Sequence, residues 1–422
     1  VQANMQADLI VRDCRQILTF RAQNAAGEPA GMDDPGVVSG GAIAIGDGKI
    51  LAVGTEADIL ASYTASEHIS AAGGIVLPGF VDCHSHPVFV HTREDEFAMR
   101  LQGKTYVDIA LAGGGIRSTI SSTREADEEL LFELAARRIR KMISLGTTTL
   151  EAKSGYGLDT ASELKQLRVI DRLAKELPIH IVPTFMGAHE FPAEYKDNHS
   201  AYIDILTDEM IPAVAEQGIA EFCDIFTEAH VYNLEESRIV LDCARKHGMK
   251  LKMHADEIEP MGGAELAAEM GCVSADHLGT TSEQGIEALA KAGVVPVLLP
   301  ATLFSLRSKT YARGKDMIQR GLPVAIATDY NPGSCNCDSL PLTISLACLQ
   351  MGFTPAEALT AATRNAARAV CREAQVGSLE PGKSADFTIW DIPSHNFIPY
   401  HLGSSYITSV YCKGVCVHRA AE

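Results

Sequence analysis

Ile75-Val-Leu-Pro-Gly-Phe-Val-Asp-Cys-His-Ser-His86 is the stretch from which the fold of this chain is read. Its apolar start, Ile75 to Val81, predicts a buried strand. The run ends in a His-x-His pair. Side chains alternate along a strand, so His84 and His86 face the same way. Two imidazoles then converge at a strand terminus, as a metal site requires. Such a pair also recurs by chance in solvated strand ends, so its meaning depends on what surrounds it.

Seven further short β-rich runs follow: 147–151, 180–185, 222–226, 251–254, 272–276, 294–299 and 324–328. Stretches with a period of 3.6 lie between them. The clearest runs from Glu125 to Ser144, with Leu130, Leu131, Leu134, Ile139 and Met142 on one face and Arg137, Arg138 and Arg140 around it. Glu235 to His247 and Ser282 to Ala292 look similar. Eight β-then-α units predict an α/β fold, a closed parallel (β/α)8 TIM barrel. An open doubly wound sheet is the alternative, but no glycine-rich phosphate fingerprint follows the first strand. The two ends of the chain instead carry turn-linked antiparallel patterns, at 7–13, 41–53, 385–391 and 409–417. Neither end makes a useful sheet alone. Together they predict one small composite β-sandwich from residues 1–77 and 377–422, beside a barrel spanning 78–376. The glycine- and proline-rich segment 24–40 reads as a loop.

The chain has 422 residues and a formal net charge of −18. An acidic surface of this kind repels nucleic acid and anionic lipid, so neither is expected as a partner. No apolar stretch approaches the ~20 residues that span a bilayer. The first residues lack a basic segment followed by an apolar core, so no signal peptide is expected. Eleven scattered cysteines, an odd number, predict reduced thiols and a cytoplasmic location. Cys335 and Cys337 read as free thiols in a loop.

A barrel carries its reactive groups at the C-terminal ends of its strands. Here those ends hold His84 and His86, His254, His277 and Asp329. Three histidines and a carboxylate suit zinc or ferrous iron, with His277 either a ligand or a group holding the activated water. Any one of these histidines alone would read as a satisfied core residue. Their joint placement is what that reading handles badly. Glu257 follows His254 by three, within reach of the same site if the loop turns helically, and a carboxylate there can shuttle protons. Capping the next helix is its other possible use, open also to Asp256. The fourth strand has no lysine to bridge two ions, which favours one.

Several ordered stretches resemble the amidohydrolase superfamily over nearly the whole chain. They are 101–106, 113–116, Lys153 to Leu158, Phe185 to His189, His254 to Ile258, Ser274 to Leu278 and Asp329 to Ser334. The resemblance implies one divalent metal ion, zinc or iron, held by His84, His86, His254 and Asp329. It implies catalytic roles for Glu257, His277 and Asp329. It places Arg93, Tyr106, Tyr156, His189, Glu257, Asn331, Gly333 and Ser334 around a small-molecule substrate. The branch it matches hydrolyses the ring amide of 4-imidazolone-5-propanoate to N-formimidoyl-L-glutamate in histidine degradation, and the resemblance implies a homodimer. Arg93 can pair with the propionate. Departures from the pattern are Cys83, Tyr330 and an extra imidazole, His230, with no assigned role. An aminohydrolase acting on a purine or pyrimidine would release ammonia, unlike this ring opening. A dead scaffold would be expected to lose ligands that this chain keeps.

Overall fold

The computed structural model describes residues 5–24, 26–104 and 114–421. Five strands come first: β1 (Met5–Leu18), β2 (Val37–Gly46), β3 (Lys49–Thr55), β4 (Tyr63–Ser70) and β5 (Ile75–Pro78). The β2–β3 hairpin turns through Asp47 and Gly48, both with positive φ (+52° and +70°), which matches the right-handed twist of the paired strands. Strand β2 begins within the segment read as a loop, because Val37 and Val38 pair with the end of β1. Alternation along β1 and β2 supplies two apolar faces. Leu9, Val11, Ile43 and Ile45 pack on one, and Ile10, Ala42 and Ala44 on the other with Ile59 of the helix Glu56–Ser62.

The first barrel strand is shorter than the sequence predicts. The apolar run 75–81 is divided by Gly79 between two sheets. β5 pairs with β1, whereas β6 (Phe80–Asp82) opens the barrel. The chain changes sheets here because backbone groups are drawn in different directions: Gly79 N donates to Asp386 O at 3.0 Å and Phe80 N to Gly146 O at 2.9 Å. We place the division between the two lobes at this residue.

The remaining barrel strands are β7 (Thr147–Lys153), β8 (His180–Ala188), β9 (Phe222–Thr227), β10 (Lys250–Ala255), β11 (Ser274–His277), β12 (Val295–Leu298) and β13 (Ala325–Ile326). They pair in sequence order and in parallel from β6 to β13. Helices follow the strands. The helix predicted from Glu125 starts at Glu128, where Asp127 caps it, and runs to Ser144. It buries Leu131, Phe132, Ala135, Ile139 and Met142, while Leu130 faces solvent at 42% exposure, one position off the expected stripe. Arg138, on its flank, donates to the carbonyls of Pro87, Phe89 and Val90 and lies over the Phe89 ring, holding the segment after His86.

The seam between β13 and β6 is closed at the active end. Asp82 accepts from Thr328 N at 3.0 Å and Oγ1 at 2.6 Å. Asp329 N donates to His84 O at 3.0 Å, and His86 N to Tyr330 O at 2.8 Å. The chain ends in β14 (Phe387–Trp390), β15 (Ile407–Cys412) and β16 (Val415–Arg419), which join β5 to complete a mixed eight-stranded sheet from both termini. Asp386 ties that sheet to the barrel base. Its Oδ2 is 3.0 Å from His180 Nε2, and its Oδ1 accepts from Ser384 Oγ and Lys413 N. Among the described residues no helix is long and apolar enough to cross a membrane.

Gly79 gives a direct test of this junction. A Cβ there would stand 2.1 Å from Thr148 Oγ1 and 2.8 Å from Thr148 Cβ. Gly79→Ala should therefore lower unfolding stability by about 1–3 kcal/mol, read as a lower urea midpoint with an unchanged slope.

Candidate active site

His84 and His86 leave β6 on one face, as their spacing predicts, and His254 joins them from β10. His84 Nε2 is 3.4 Å from His86 Nε2, 3.5 Å from Asp329 Oδ1, and Asp329 Oδ1 is 3.6 Å from His86 Nε2. Donor atoms of His84, His254 and His277 also lie within 4.8 Å of one another. The groups fit a metal ion. Ligand atoms each about 2.1 Å from one ion stand roughly 3–3.5 Å apart. His254 Nε2 is buried without a hydrogen-bond partner among the described residues, which leaves a donor atom with nothing else to bind. Burial pushes the pKa values of His84, His86 and His277 well below the ordinary histidine range, and neighbouring positive or imidazole groups add to it. These three imidazoles are held towards the neutral form, the one that binds metal. The cluster has the donor set and spacing that a divalent metal ion takes.

Beneath the histidines lies a layer of charge that the sequence reading missed. Barrel interiors are usually filled by branched apolar side chains. Here Glu151 and Lys153 of β7, Asp224 of β9, Lys252 of β10 and Asp276 of β11 all point inward and are fully buried. Lys153 Nζ bonds Asp224 Oδ2 at 2.7 Å and Glu151 Oε2 at 3.0 Å, and Lys252 Nζ bonds Glu151 Oε2 at 2.7 Å. A signal was present. Lys252 precedes His254 by two and must share its face, as Glu151 does with Lys153.

Alternation would put Asp276 and its neighbour His277 on opposite faces. Both reach the interior because His277 leaves the strand with φ +75°, and Leu278 follows at +56°. Asp329 likewise has φ +51°. Non-glycine residues in this region are strained, and such strain collects at functional sites.

A cavity of about 400 Å³ opens over these groups. Its lining includes His86, His254, Glu257, His277 and Asp329, together with Arg93, Tyr156, His189, Asn331, Gly333 and Ser334. His84 lies beneath it, fully buried. Tyr106 falls outside the described residues. Arg93 precedes the helix Glu94–Leu101, and its Nε donates to Glu96 at 3.0 Å. Its guanidinium covers Gly333, where a Cβ would sit 2.7 Å from one Nη. Only glycine permits that approach. Arg100, not foreseen from sequence, donates to Gly333 O through both Nη atoms at 3.2 Å.

Tyr156 is held in a tight loop. Gly155 has φ +108°, and the buried Glu163 carboxylate accepts from the backbone N of Gly155, Gly157 and Leu158 at 3.0, 2.8 and 2.9 Å. His189 Nδ1 bonds Gly155 O at 3.0 Å, which turns Nε2 the other way, and its ring stacks on His86. Asn331 organises its own loop: Oδ1 accepts from Gly333 N and Ser334 N at 2.8 Å.

Glu257 and Asp256 divide the two uses open to them. Asp256 accepts from Gly263 N at 2.9 Å and Ala264 N at 3.1 Å, so it serves the start of the helix Gly263–Met270. Glu257 faces the cavity with Oε2 3.5 Å from His277 Nδ1. Burial, then the negative charges of Asp329 and Glu228, push its pKa up to about 8. Burial raises Asp329 to about 6.

This barrel, terminal sheet and histidine–carboxylate cluster have matches among known proteins. The chain belongs to the amidohydrolase family, whose sequence model matches residues 75–417. It is 46% identical to the imidazolonepropionase of Alkaliphilus metalliredigens, over 98% of both chains. It is 48% identical to the imidazolonepropionase of Symbiobacterium thermophilum, over 96% of both. Among solved structures it resembles an adenosine deaminase from Xanthomonas campestris with bound zinc, at TM-score 0.72 and 18% identity, over 98% of this chain and 93% of that one. At that identity the likeness concerns the fold.

The raised pKa of Glu257 has a definite sign for stability. Its carboxyl titrates near 4.5 when unfolded and at about 8 when folded. Between those values the unfolded metal-free chain binds fewer protons, so this contribution is full below the lower value and is lost as the pH rises through the upper one. Glu257→Gln removes that loss. Without metal, the variant should melt above the parent at pH 8, by the equivalent of roughly 4 kcal/mol, and by no more than roughly 1 kcal/mol at pH 5. Equal offsets at both pH values would show that the carboxyl is not held neutral.

Proposed function

We propose that the cavity opens the ring amide of 4-imidazolone-5-propanoate, giving N-formimidoyl-L-glutamate, with the residues above in defined roles. The chain is a hydrolase of cyclic-amide C–N bonds acting in histidine degradation, as its full-length likeness to imidazolonepropionases supports. One observation carries the assignment of roles: a single cavity brings a guanidinium seated on glycine together with a histidine–carboxylate cluster.

One divalent ion, zinc or iron, is assigned to His84, His86, His254 and Asp329. When bound it supplies Lewis acidity, which makes water a competent nucleophile near neutral pH. Arg93 pairs with the substrate propionate, held in place by Glu96 and Gly333. Tyr156 and His189 flank the ring, and Asn331, Gly333 and Ser334 form the wall beside Arg93. One carboxylate of the pair Asp329 and Glu257 receives the proton that water loses on adding to the ring carbonyl. Glu257 then carries a proton to the adjacent ring nitrogen as the carbon–nitrogen bond breaks. His277 bonds the carbonyl oxygen as negative charge develops there. The new carboxylate and the formimidoyl nitrogen leave as one product, so no ammonia is released. A homodimer in the cytoplasm completes this reading, and the eleven free thiols suit a reducing compartment.

Purified enzyme given freshly made 4-imidazolone-5-propanoate should consume it, followed as loss of ultraviolet absorbance, without ammonia. Arg93→Ala should lower kcat/KM by about one to two orders of magnitude with metal content unchanged. An unaltered kcat/KM would mean that another group holds the carboxylate.

Glu257→Gln keeps size and hydrogen bonding but cannot carry the proton. Its kcat should fall by at least ~10² while metal content stays at the parent level. Activity within a few-fold of the parent would leave every proton transfer to Asp329 and His277.

A further inference from the structure

The buried charge layer touches the histidines directly. Asp224 Oδ1 is 3.1 Å from His254 Nδ1 while its Oδ2 accepts from Lys153 at 2.7 Å. Asp276 Oδ2 is 2.5 Å from His84 Nδ1 while its Oδ1 accepts from Ser274 Oγ at 2.6 Å. Lys252 also donates to Cys83 O at 3.0 Å, the carbonyl immediately before His84. Glu151 joins the two lysines and accepts from Thr184 Oγ1 at 2.5 Å. Every member is fully buried and comes from a different strand or from alternate positions of one.

We propose that Lys153, Asp224 and Asp276 are positioning residues for the metal, acting through His254 and His84. A carboxylate that accepts from Nδ1–H fixes the tautomer and leaves Nε2 as the ligand atom. Lys153 occupies the far oxygen of Asp224, so the carboxylate cannot rotate away from His254. The layer carries two positive and three negative charges. That leaves one net negative charge beneath the site, which favours a dication above it.

This inference rests on His84 and His254 being metal ligands. The variants are Asp224→Asn, which keeps size, and Lys153→Met/Asp224→Asn, which leaves no buried charge of this pair unmatched. Zinc affinity is measured by chelator competition, and the visible spectrum is recorded after cobalt substitution. Both variants should bind zinc about 10- to 100-fold more weakly and show altered cobalt bands. At saturating metal, KM should stay at the parent value. The double variant should melt close to the parent, which separates positioning from a purely structural ion pair. Zinc affinity within about threefold of the parent in the double variant, with an unchanged cobalt spectrum, overturns the proposal. His84→Ala distinguishes the two levels: if it retains metal at parent affinity, the ligand assignment itself fails. If it loses metal while the Asp224 variants do not, only the positioning role fails.

Discussion

The site depends on the seam that closes the barrel. Asp329 reaches His84 and His86 because its own backbone N donates to His84 O, while His86 N donates to Tyr330 O. Asp82 fastens the same seam from below through both polar groups of Thr328. The first and last barrel strands are short, three and two residues. Side-chain and loop hydrogen bonds therefore do what a strand ladder would do elsewhere. The same bonds that complete the barrel set the spacing of the His84, His86 and Asp329 donor atoms, so fold and site are one construction.

A second constraint is the charged interior. Burying Glu151, Lys153, Asp224, Lys252 and Asp276 would be unfavourable for any one of them alone. Glu151, Lys153, Asp224 and Lys252 pair with one another at hydrogen-bond distance across β7, β9 and β10, and Asp276 of β11 is met by His84 Nδ1 and Ser274 Oγ. Such a layer adds little net stability compared with apolar packing. Its value lies in direction. It gives the imidazoles above it acceptors at Nδ1, and it keeps their outer nitrogens turned towards the cavity. Strained backbone at His277 and Asp329 shows the same priority of side-chain direction over local comfort.

The cavity wall is shaped by close backbone contacts. Gly333 lets the Arg93 guanidinium lie on it, and Arg100 holds the carbonyl of the same residue. Glu163 gathers three backbone N–H groups around Tyr156. These are rigid supports built from buried carboxylates and arginines, so the cavity is shaped before any ligand enters.

Alternation and strand-end placement were enough to read eight βα units, the convergence of His84 and His86, and the presence of His254, His277 and Asp329 at neighbouring strand ends. Those signals are local, because the two-residue period of a strand needs no partner to be visible. The division of the run 75–81 at Gly79 was not legible, since it depends on where Asp386 and Gly146 offer acceptors. Leu130 was misplaced because period alone does not say where the apolar stripe of a helix ends. The choice between Asp256 and Glu257 as cap was likewise undecided in the sequence, where both lie at suitable spacing. The structure settles it by placing Asp256 under Gly263 and Glu257 in the cavity. The sequence by itself determined which chemical groups stand at the strand ends. Tertiary structure alone decided which of them meet, how each imidazole is turned and which carboxyl faces the cavity, because distances, burial and hydrogen-bond partners arise only when remote strands close around one interior.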